Sequence, residues 1–528
     1  MKVNFTNVMA GLVANFGERE AVVNTERARR ITFAEYHALT NRIANMLMGP
    51  LGIGPNDRFF CILENDNLSL LSFATIFKAH GCAVWTNIRD ALDEHLRQIA
   101  HVQPRVVFIE SGMLDRYISA LDGTVTSIVV MDDVPGWATQ HDNVHGFWQL
   151  LDRVSDDNPG IARDDRDDIA IMRFTGGTTG TAKCAMYSMD NWFSCRDTCY
   201  SIPDNPFEEG TRFLHLAPIS HGSGLMVLPT LFRGGCMVTM NDPDLTRWCK
   251  IVEDERITSA FMVPTLTYRL LELQSAAEAD LSSLKTLLYG ASPMSAAKLA
   301  LLQAKLGGIF TQLYGATEHL GIAIALTKSD HMIEPGGEGR RLASAGRPVP
   351  GIELVICDDN GEPVMPGQIG EIWLRSRSIC AGYYRNPEQT AEEFQDGFWK
   401  SGDVAVQDEC GYIYLIDRKK SVIISGGFNV YANEVEAVLN SHPDVVLSAV
   451  IGLPHDDWGE AVHAEIVLRD GSVLDAQAMQ DLVRSQLGSH KAPKTVAFVD
   501  RLPMSSVGKI IHREIREKYW SGQKRKIA

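Results

Sequence analysis

The stretch Ile169-Ala-Ile-Met-Arg-Phe174, Thr175-Gly-Gly-Thr-Thr-Gly-Thr-Ala-Lys183, Cys184-Ala-Met-Tyr-Ser188 decides how the rest of the chain is read. An apolar run ends in nine residues that offer three glycines, four threonine hydroxyls and one lysine, and a second, partly apolar run follows. Gly176, Gly177 and Gly180 let backbone N–H groups turn toward an anion. Thr175, Thr178 and Thr179 add hydroxyl donors, and Lys183 adds charge. The composition therefore suits a polyphosphate. It is not a P-loop of the G-x-x-x-x-G-K-[ST] kind, because Lys183 follows Ala182 and Cys184 stands where the magnesium-binding hydroxyl belongs. The next residues read as a strand, with a helix only near Asp190. Taken alone, the composition is also that of a flexible Gly/Thr surface loop.

Four later segments settle the choice: Tyr314-Gly-Ala-Thr-Glu318, Ser401-Gly-Asp403, the run from Asp417-Arg-Lys-Lys420 to Ser425-Gly-Gly-Phe-Asn429, and Gly508-Lys509. With the loop they form a set, in order and spacing, that resembles the adenylate-forming superfamily of acyl-CoA synthetases, luciferases and peptide-synthetase adenylation domains. The resemblance covers essentially the whole chain. It implies an α/β fold: a large N-terminal domain of doubly wound sheets with a small β-barrel-like unit (residues 1–417), then a small mobile α+β domain (residues 418–528), with a hinge near Lys420.

The sequence itself is consistent with that plan. At 528 residues and about 150 residues per domain, roughly three units are expected. Fifty basic against 66 acidic residues give a net charge of −16, a poor balance for nucleic-acid binding. The ten cysteines form no C-x-x-C pair and no zinc-like spacing, as in a reduced, cytoplasmic protein. No signal peptide and no apolar run of about 18 residues is present, so a soluble protein without a transmembrane segment is expected. A homodimer is left open.

Along the chain, Thr32 with Glu35 reads as a helix start. Asp57–Leu63, Cys82–Trp85 and Arg105–Ile109 read as strands, Leu68–His80 as a helix, and their alternation predicts a parallel sheet. The turn Gly290-Ala291-Ser292 follows an apolar strand, and Phe310–Tyr314 is the next strand; both therefore end where open α/β sheets bind ligands. Beyond about Gly337 short strands and turns predict a small β unit. A break at Asp417–Lys420 precedes a compact segment of helix, two strands and helix.

What the resemblance implies for the site can be stated residue by residue. Thr175 to Lys183 cradle the β- and γ-phosphates of ATP, Gly290, Ala291 and Ser292 face the adenine, and Tyr314, Gly315 and Ala316 line the same edge. Thr317 donates to the α-phosphate and Glu318 binds Mg²⁺. Asp403 takes the ribose hydroxyls with Arg418, and Lys509 bridges the substrate carboxylate and the α-phosphate. His221, in Ser220-His-Gly-Ser-Gly224, stands between acyl pocket and thiol channel, and Gly426, Gly427, Trp458 and Lys494, with Lys491, are expected to meet coenzyme A. Gly176, Ala182, Cys184 and Ala432 depart from the usual serine, proline, glycine and proline. No aspartate near His221 could pair an α-ammonium, which favours an uncharged acyl tail. Gly222, Ser223, Gly224 and Gly321 would leave room for a medium or long chain or a ring, lined by Met262, Val263, Leu266 and Leu320. The expected activity is ATP-dependent acyl-CoA ligation. Loading of a carrier protein, a luciferase-like oxygenase, or a non-catalytic nucleotide-binding protein are the alternatives.

Overall fold

The computed structural model describes residues 1–175, 183–292, 294–332, 340–455, 458–505 and 509–520, with Lys420 described by its backbone alone. Among these residues two large sheets carry the N-terminal part. The first runs Cys184–Ser188, Ile169–Phe174, Cys82–Trp85, Arg58–Ile62, Val106–Glu110, Ser127–Met131, Val144–Gly146. Its neighbours pair in parallel except for the Ile169–Phe174 and Cys184–Ser188 hairpin. Val106–Glu110 and Ser127–Met131 are buried along their whole length, as strands covered on both faces must be. The second sheet runs Arg347–Pro348, Ile324–Leu326, Phe310–Tyr314, Thr286–Gly290, Ser259–Met262, Arg212–His215, Cys236–Thr239, Glu20–Asn24, Arg29–Thr32, with antiparallel pairs at its two ends.

Local sequence explains the helices that pack between these sheets. Helix Phe33–Met48 opens with a reciprocal cap: the Thr32 hydroxyl accepts from the Glu35 N–H, and the Glu35 carboxylate accepts from the Thr32 N–H at 2.8 Å. Its buried residues Phe33, Tyr36, Thr40, Ile43, Ala44 and Leu47 recur at helical spacing. The single helix expected over Leu68–His80 is instead two, Asn65–Leu70 and Phe73–Ile76. The Tyr36 hydroxyl supplies the reason, since it donates to the Ser69 carbonyl at 2.7 Å and also contacts the Ser72 hydroxyl, occupying a carbonyl that a continuous helix would have used. Phe73 then packs on Trp192 with ring centroids 4.3 Å apart, inside the core that joins the sheets.

The small β unit is a five-stranded antiparallel sheet of Glu353–Cys357, Ile369–Arg375, Phe398–Gln407, Phe394–Gln395 and Ile413–Arg418. Its pairing is open, and a bridge between Gly346 and Ile413 fastens it to the second sheet. After the short turn Lys419–Ser421, strand Ile423–Ser425 starts a separate sheet with Phe428–Val430, Gly459–Leu468, Val445–His455 and Thr495–Phe498. Helices Ala432–Asn440 and Ala476–Leu487 bury Val435, Val438, Leu439, Met479 and Val483 in its own core. Contacts of this unit with the rest include the Lys298 ammonium, which donates to the Val446 carbonyl at 2.6 Å, the Arg469–Glu272 ion pair at 2.9 Å, and Asn433, whose N–H donates to the Asp417 carboxylate at 3.4 Å.

All ten cysteines are free and nine are buried. Among the described residues no helix is long and apolar enough to cross a membrane.

Candidate active site

Ile169–Phe174 of the first sheet and the parallel neighbours Thr286–Gly290 and Phe310–Tyr314 of the second bring their ends together, joined by Tyr187–Thr317 and Tyr383–Glu318 hydrogen bonds, at the ligand edge of open α/β sheets. At the first, the Thr175 N–H donates to the Lys183 carbonyl at 2.8 Å and pins the base of the glycine-rich loop. Gly176, Gly177, Thr178, Thr179 and Gly180 lie outside the described residues. The Lys183 ammonium pairs with Glu393 and stands 5.0 Å over the Tyr383 ring. The Tyr383 hydroxyl contacts Glu393 in turn and donates to Glu318 at 2.8 Å. Lys183 and Glu318, expected to handle phosphate and metal, are thereby joined through two residues that sequence reading did not single out. Burial pushes the Glu318 carboxyl upward, while the Tyr383 hydrogen bond and the Lys183 charge oppose it.

At the second strand end, Ala291 adopts a left-handed φ of +70°, a conformation costly for alanine that the surrounding turn must hold. Gly290 before it permits close strand packing: a Cβ there would lie 2.2 Å from the Leu313 carbonyl oxygen. Ser292 closes the described part of the turn. At the third, Tyr314 leads into Gly315, Ala316, Thr317 and Glu318. The Thr317 carbonyl accepts from the Tyr187 hydroxyl at 2.6 Å, so a buried residue of the phosphate-loop hairpin positions this segment.

Strand register brings Asp403 opposite Arg418. One Asp403 oxygen accepts from the Tyr314 hydroxyl at 2.6 Å and the other from Arg418 Nε at 3.2 Å. Each oxygen keeps a further lone pair, enough to accept a pair of vicinal hydroxyls. Lys509 reaches the same cleft from the C-terminal unit, on a tip closed by the Ser505 N–H to Lys509 carbonyl bond at 2.7 Å. Its side chain is exposed to solvent. Desolvation by the neighbouring protein, then Arg418, push its ammonium down to about 8, opposed by Asp403. His221 feels both Lys509 and Arg173. Burial first, then these two charges, push it down to about 3, so it is a neutral ring at neutral pH, with Nδ1 3.0 Å from the Ser220 hydroxyl.

Gly426, Gly427, Trp458 and Lys494 come together on the C-terminal unit. The Gly426 N–H donates to the Trp458 carbonyl at 2.9 Å, His455 stacks on Trp458 with centroids 4.3 Å apart, and the Lys494 ammonium lies 5.0 Å over the indole. Lys491 is instead tied to Glu434 at 2.6 Å. The acyl-pocket expectation needs a larger correction. A Cβ on Gly224 would lie 2.0 Å from the Ile219 carbonyl oxygen, and one on Gly321 would lie 3.2 Å from the Cys195 Cα. Backbone fills the space beside Gly224, and the Thr198 hydroxyl with Cys195 crowds that beside Gly321, so neither glycine opens room in the direction a side chain would take. Met262, Val263 and Leu320 are buried, and Met262 and Leu320 belong to the two large cores.

The profile of the "AMP-binding enzyme" family matches residues 11–384, and that of the "AMP-binding enzyme C-terminal domain" matches residues 434–509. The chain belongs to the AMP-binding enzyme family. Among its relatives is the medium/long-chain-fatty-acid–CoA ligase FadD8 of Mycobacterium tuberculosis, 36% identical over 81% of this chain and 74% of that one. A feruloyl-CoA synthase of Amycolatopsis sp is 37% identical over 69% and 73%. ATP-bound MatB from Rhodopseudomonas palustris superposes with a TM-score of 0.85 at 29% identity, covering 98% of this chain and 99% of MatB; apo MatB, with the same identity and coverage, superposes at 0.76. The family and these ligases make this AMP-binding enzyme an AMP-forming acid–CoA ligase.

Proposed function

We propose that this AMP-binding enzyme joins a hydrophobic carboxylic acid to coenzyme A in two half-reactions, with ATP as the activating substrate. A carboxylate resists nucleophiles because it is charged and its oxide is a poor leaving group. In the first half-reaction its oxygen attacks the α-phosphorus of ATP, the bond to the β-phosphate breaks, and pyrophosphate leaves with the electron pair. In the second, the coenzyme A thiol gives up its proton and attacks the acyl carbonyl, and AMP leaves.

The observation that carries this reading is Lys509, on one unit, within electrostatic reach of Asp403, Arg418 and His221 on the other. A point charge there would stabilise negative charge gathering between carboxylate and α-phosphate. Asp403, held by Tyr314 and Arg418, would anchor the ribose, while Thr317 would donate to the α-phosphate and Thr175 and Lys183 would border the outer phosphates. Gly426, Gly427, Trp458 and Lys494 would line the thiol's approach. Magnesium fits Glu318, a carboxylate joined through Tyr383 and Glu393 to Lys183 beside the glycine-rich loop, because this cation commonly binds one or two carboxylates plus substrate phosphates. When bound it would offset phosphate charge.

The closer match to ATP-bound MatB supports an adenylating orientation of the C-terminal unit. We take the chain to pivot at Lys419–Ser421, between strands that belong to different sheets. The close packing at Gly224 and Gly321 favours a compact or cyclic acid over a long chain.

The test is pyrophosphate release across a panel of carboxylic acids with and without coenzyme A. Release that depends on the acid and is accelerated by coenzyme A supports the ligase, whereas acid-dependent release indifferent to coenzyme A supports loading of a carrier protein. Two quantitative expectations follow from the geometry. Asp403→Ala leaves the ribose hydroxyls without their acceptor and should weaken ATP binding by about 1.5–3 kcal/mol per lost charged hydrogen bond at most; calorimetry of ATP binding checks this, and an unchanged dissociation constant contradicts it. Lys509 works as an ammonium and its value is lowered from the ordinary lysine range, so adenylation kcat/KM should be sustained at neutral pH and decline as pH rises through about 8. In Lys509→Ala this descending limb should be missing from whatever rate remains.

A further inference from the structure

Arg173 interrupts the apolar strand Ile169–Phe174 two residues before the phosphate loop. Strand register sets it level with Trp85 on one side and Ala185 on the other, so it shares the face of Trp85 and of Tyr187, two residues beyond Ala185. That face packs on helix Met189–Tyr200 with Trp192 and Cys195. Arg173 is only 5% exposed. Its Nε is sealed from solvent with no partner, and among the described residues no carboxylate pairs with its guanidinium. Trp85 Nε1 and Trp192 Nε1, from indoles 6.0 Å apart on the same side, are also buried donors without acceptors.

A buried guanidinium without a counter-charge is costly, and proteins otherwise pair it. The groups within electrostatic reach of Arg173 are Tyr187, Cys195 and His221, none of them a carboxylate. The Tyr187 hydroxyl, on the face Arg173 shares, donates to the Thr317 carbonyl at 2.6 Å and so sets this buried cation beside the site. Arg173 and Lys509 both act on the His221 ring. Unlike Lys183, Arg418 and Lys509, Arg173 has no task in the adenylation chemistry.

We infer that Arg173 receives a second carboxylate of the acyl substrate, which is a compact or cyclic dicarboxylic acid activated at the carboxylate nearer Lys509. This rests on the acyl-activating reading of the same cleft but replaces the hydrophobic acid of that reading, and the uncharged tail that the missing aspartate near His221 suggested, with a dianionic one. An arginine matches a carboxylate bidentately.

The experiment compares acids matched in size and ring, with and without the second carboxylate, on wild type, Arg173→Met and Arg173→Lys. The readouts are acid-dependent pyrophosphate release and calorimetric binding of each acid to the ATP-free protein. Wild type should favour the dicarboxylate by about 100-fold, the scale of lost charged hydrogen bonds. Arg173→Met should bring the two acids close to parity, and Arg173→Lys should keep part of the preference. Arg173→Met should also melt no lower than wild type, since it removes an unpaired buried charge. The inference is overturned if wild type treats matched acids alike in both readouts, or if Arg173→Met weakens both acids equally. Dicarboxylate-selective binding that is lost in Arg173→Met, without pyrophosphate release from any acid, would uphold the Arg173 site and refute acyl activation.

Discussion

Lys509→Ala should slow adenylation about 100- to 1000-fold, the loss expected when one well-placed donor to a developing anion is removed. The second half-reaction should be spared. Lys509 belongs to the C-terminal unit, while Asp403 and His221 belong to the large N-terminal part, so its place in the cleft depends on how the two are oriented. In the proposed rotation that presents coenzyme A, the lysine leaves. Acyl-adenylate supplied ready-made, with coenzyme A, should then react in Lys509→Ala at close to the wild-type rate, while the reaction from free acid and ATP nearly stops. Normal adenylation by the variant would make the lysine structural, and equal loss of both half-reactions would remove the case for alternation.

Lys420→Pro is expected to divide the half-reactions the other way. Residues Lys419–Ser421 form one short turn between strand Ile413–Arg418 of the small β unit and strand Ile423–Ser425 of the C-terminal sheet. A rotation of one unit past the other has to be absorbed by a few backbone angles there. Proline would fix φ near −65°. Thioester formation from supplied acyl-adenylate should fall by more than about tenfold if turning is blocked, with adenylation retained where the fixed angle suits the orientation seen here. The same interface offers two contacts that must break in the turn, Lys298 with the Val446 carbonyl and Arg469 with Glu272. Parallel single-turnover measurements of the two steps provide the check, and equal loss in both would place the hinge elsewhere.

The parts of this structure that were legible in the sequence are those written by local rules. The Thr32–Glu35 cap and the buried strands Cys82–Trp85 and Phe310–Tyr314 fall where composition and periodicity put them. Tyr314, Asp403 and Arg418, recognised from separate motifs, meet because strand register sets Asp403 opposite Arg418. Other residues of the site carried no local signal. Glu393 sits in a short, polar-looking helix, and Tyr383 follows an ordinary glycine; only the tertiary fold ties them to Lys183 and Glu318. Small residues were read as empty space at Gly224 and Gly321, but a sequence does not say what occupies the space, and here the Ile219 carbonyl does at the first and Thr198 with Cys195 at the second. Arg173 is the sharpest case. In the sequence it is a lone charge in an apolar run, and its meaning lies in the missing partner, which only the packed structure reveals. The split of the helix near Ser72 is similar in kind, because the hydroxyl that intervenes comes from Tyr36, more than thirty residues earlier.

The most direct measurement of the central claim is the fate of the nucleotide in a single turnover with α-labelled ATP, an activating acid and no coenzyme A. The account predicts that label passes to an acyl-AMP held by the enzyme with one pyrophosphate released per site, and that adding coenzyme A converts it to free AMP and thioester. Formation of ADP and inorganic phosphate, or nucleotide cleavage that does not require the acid, would contradict it.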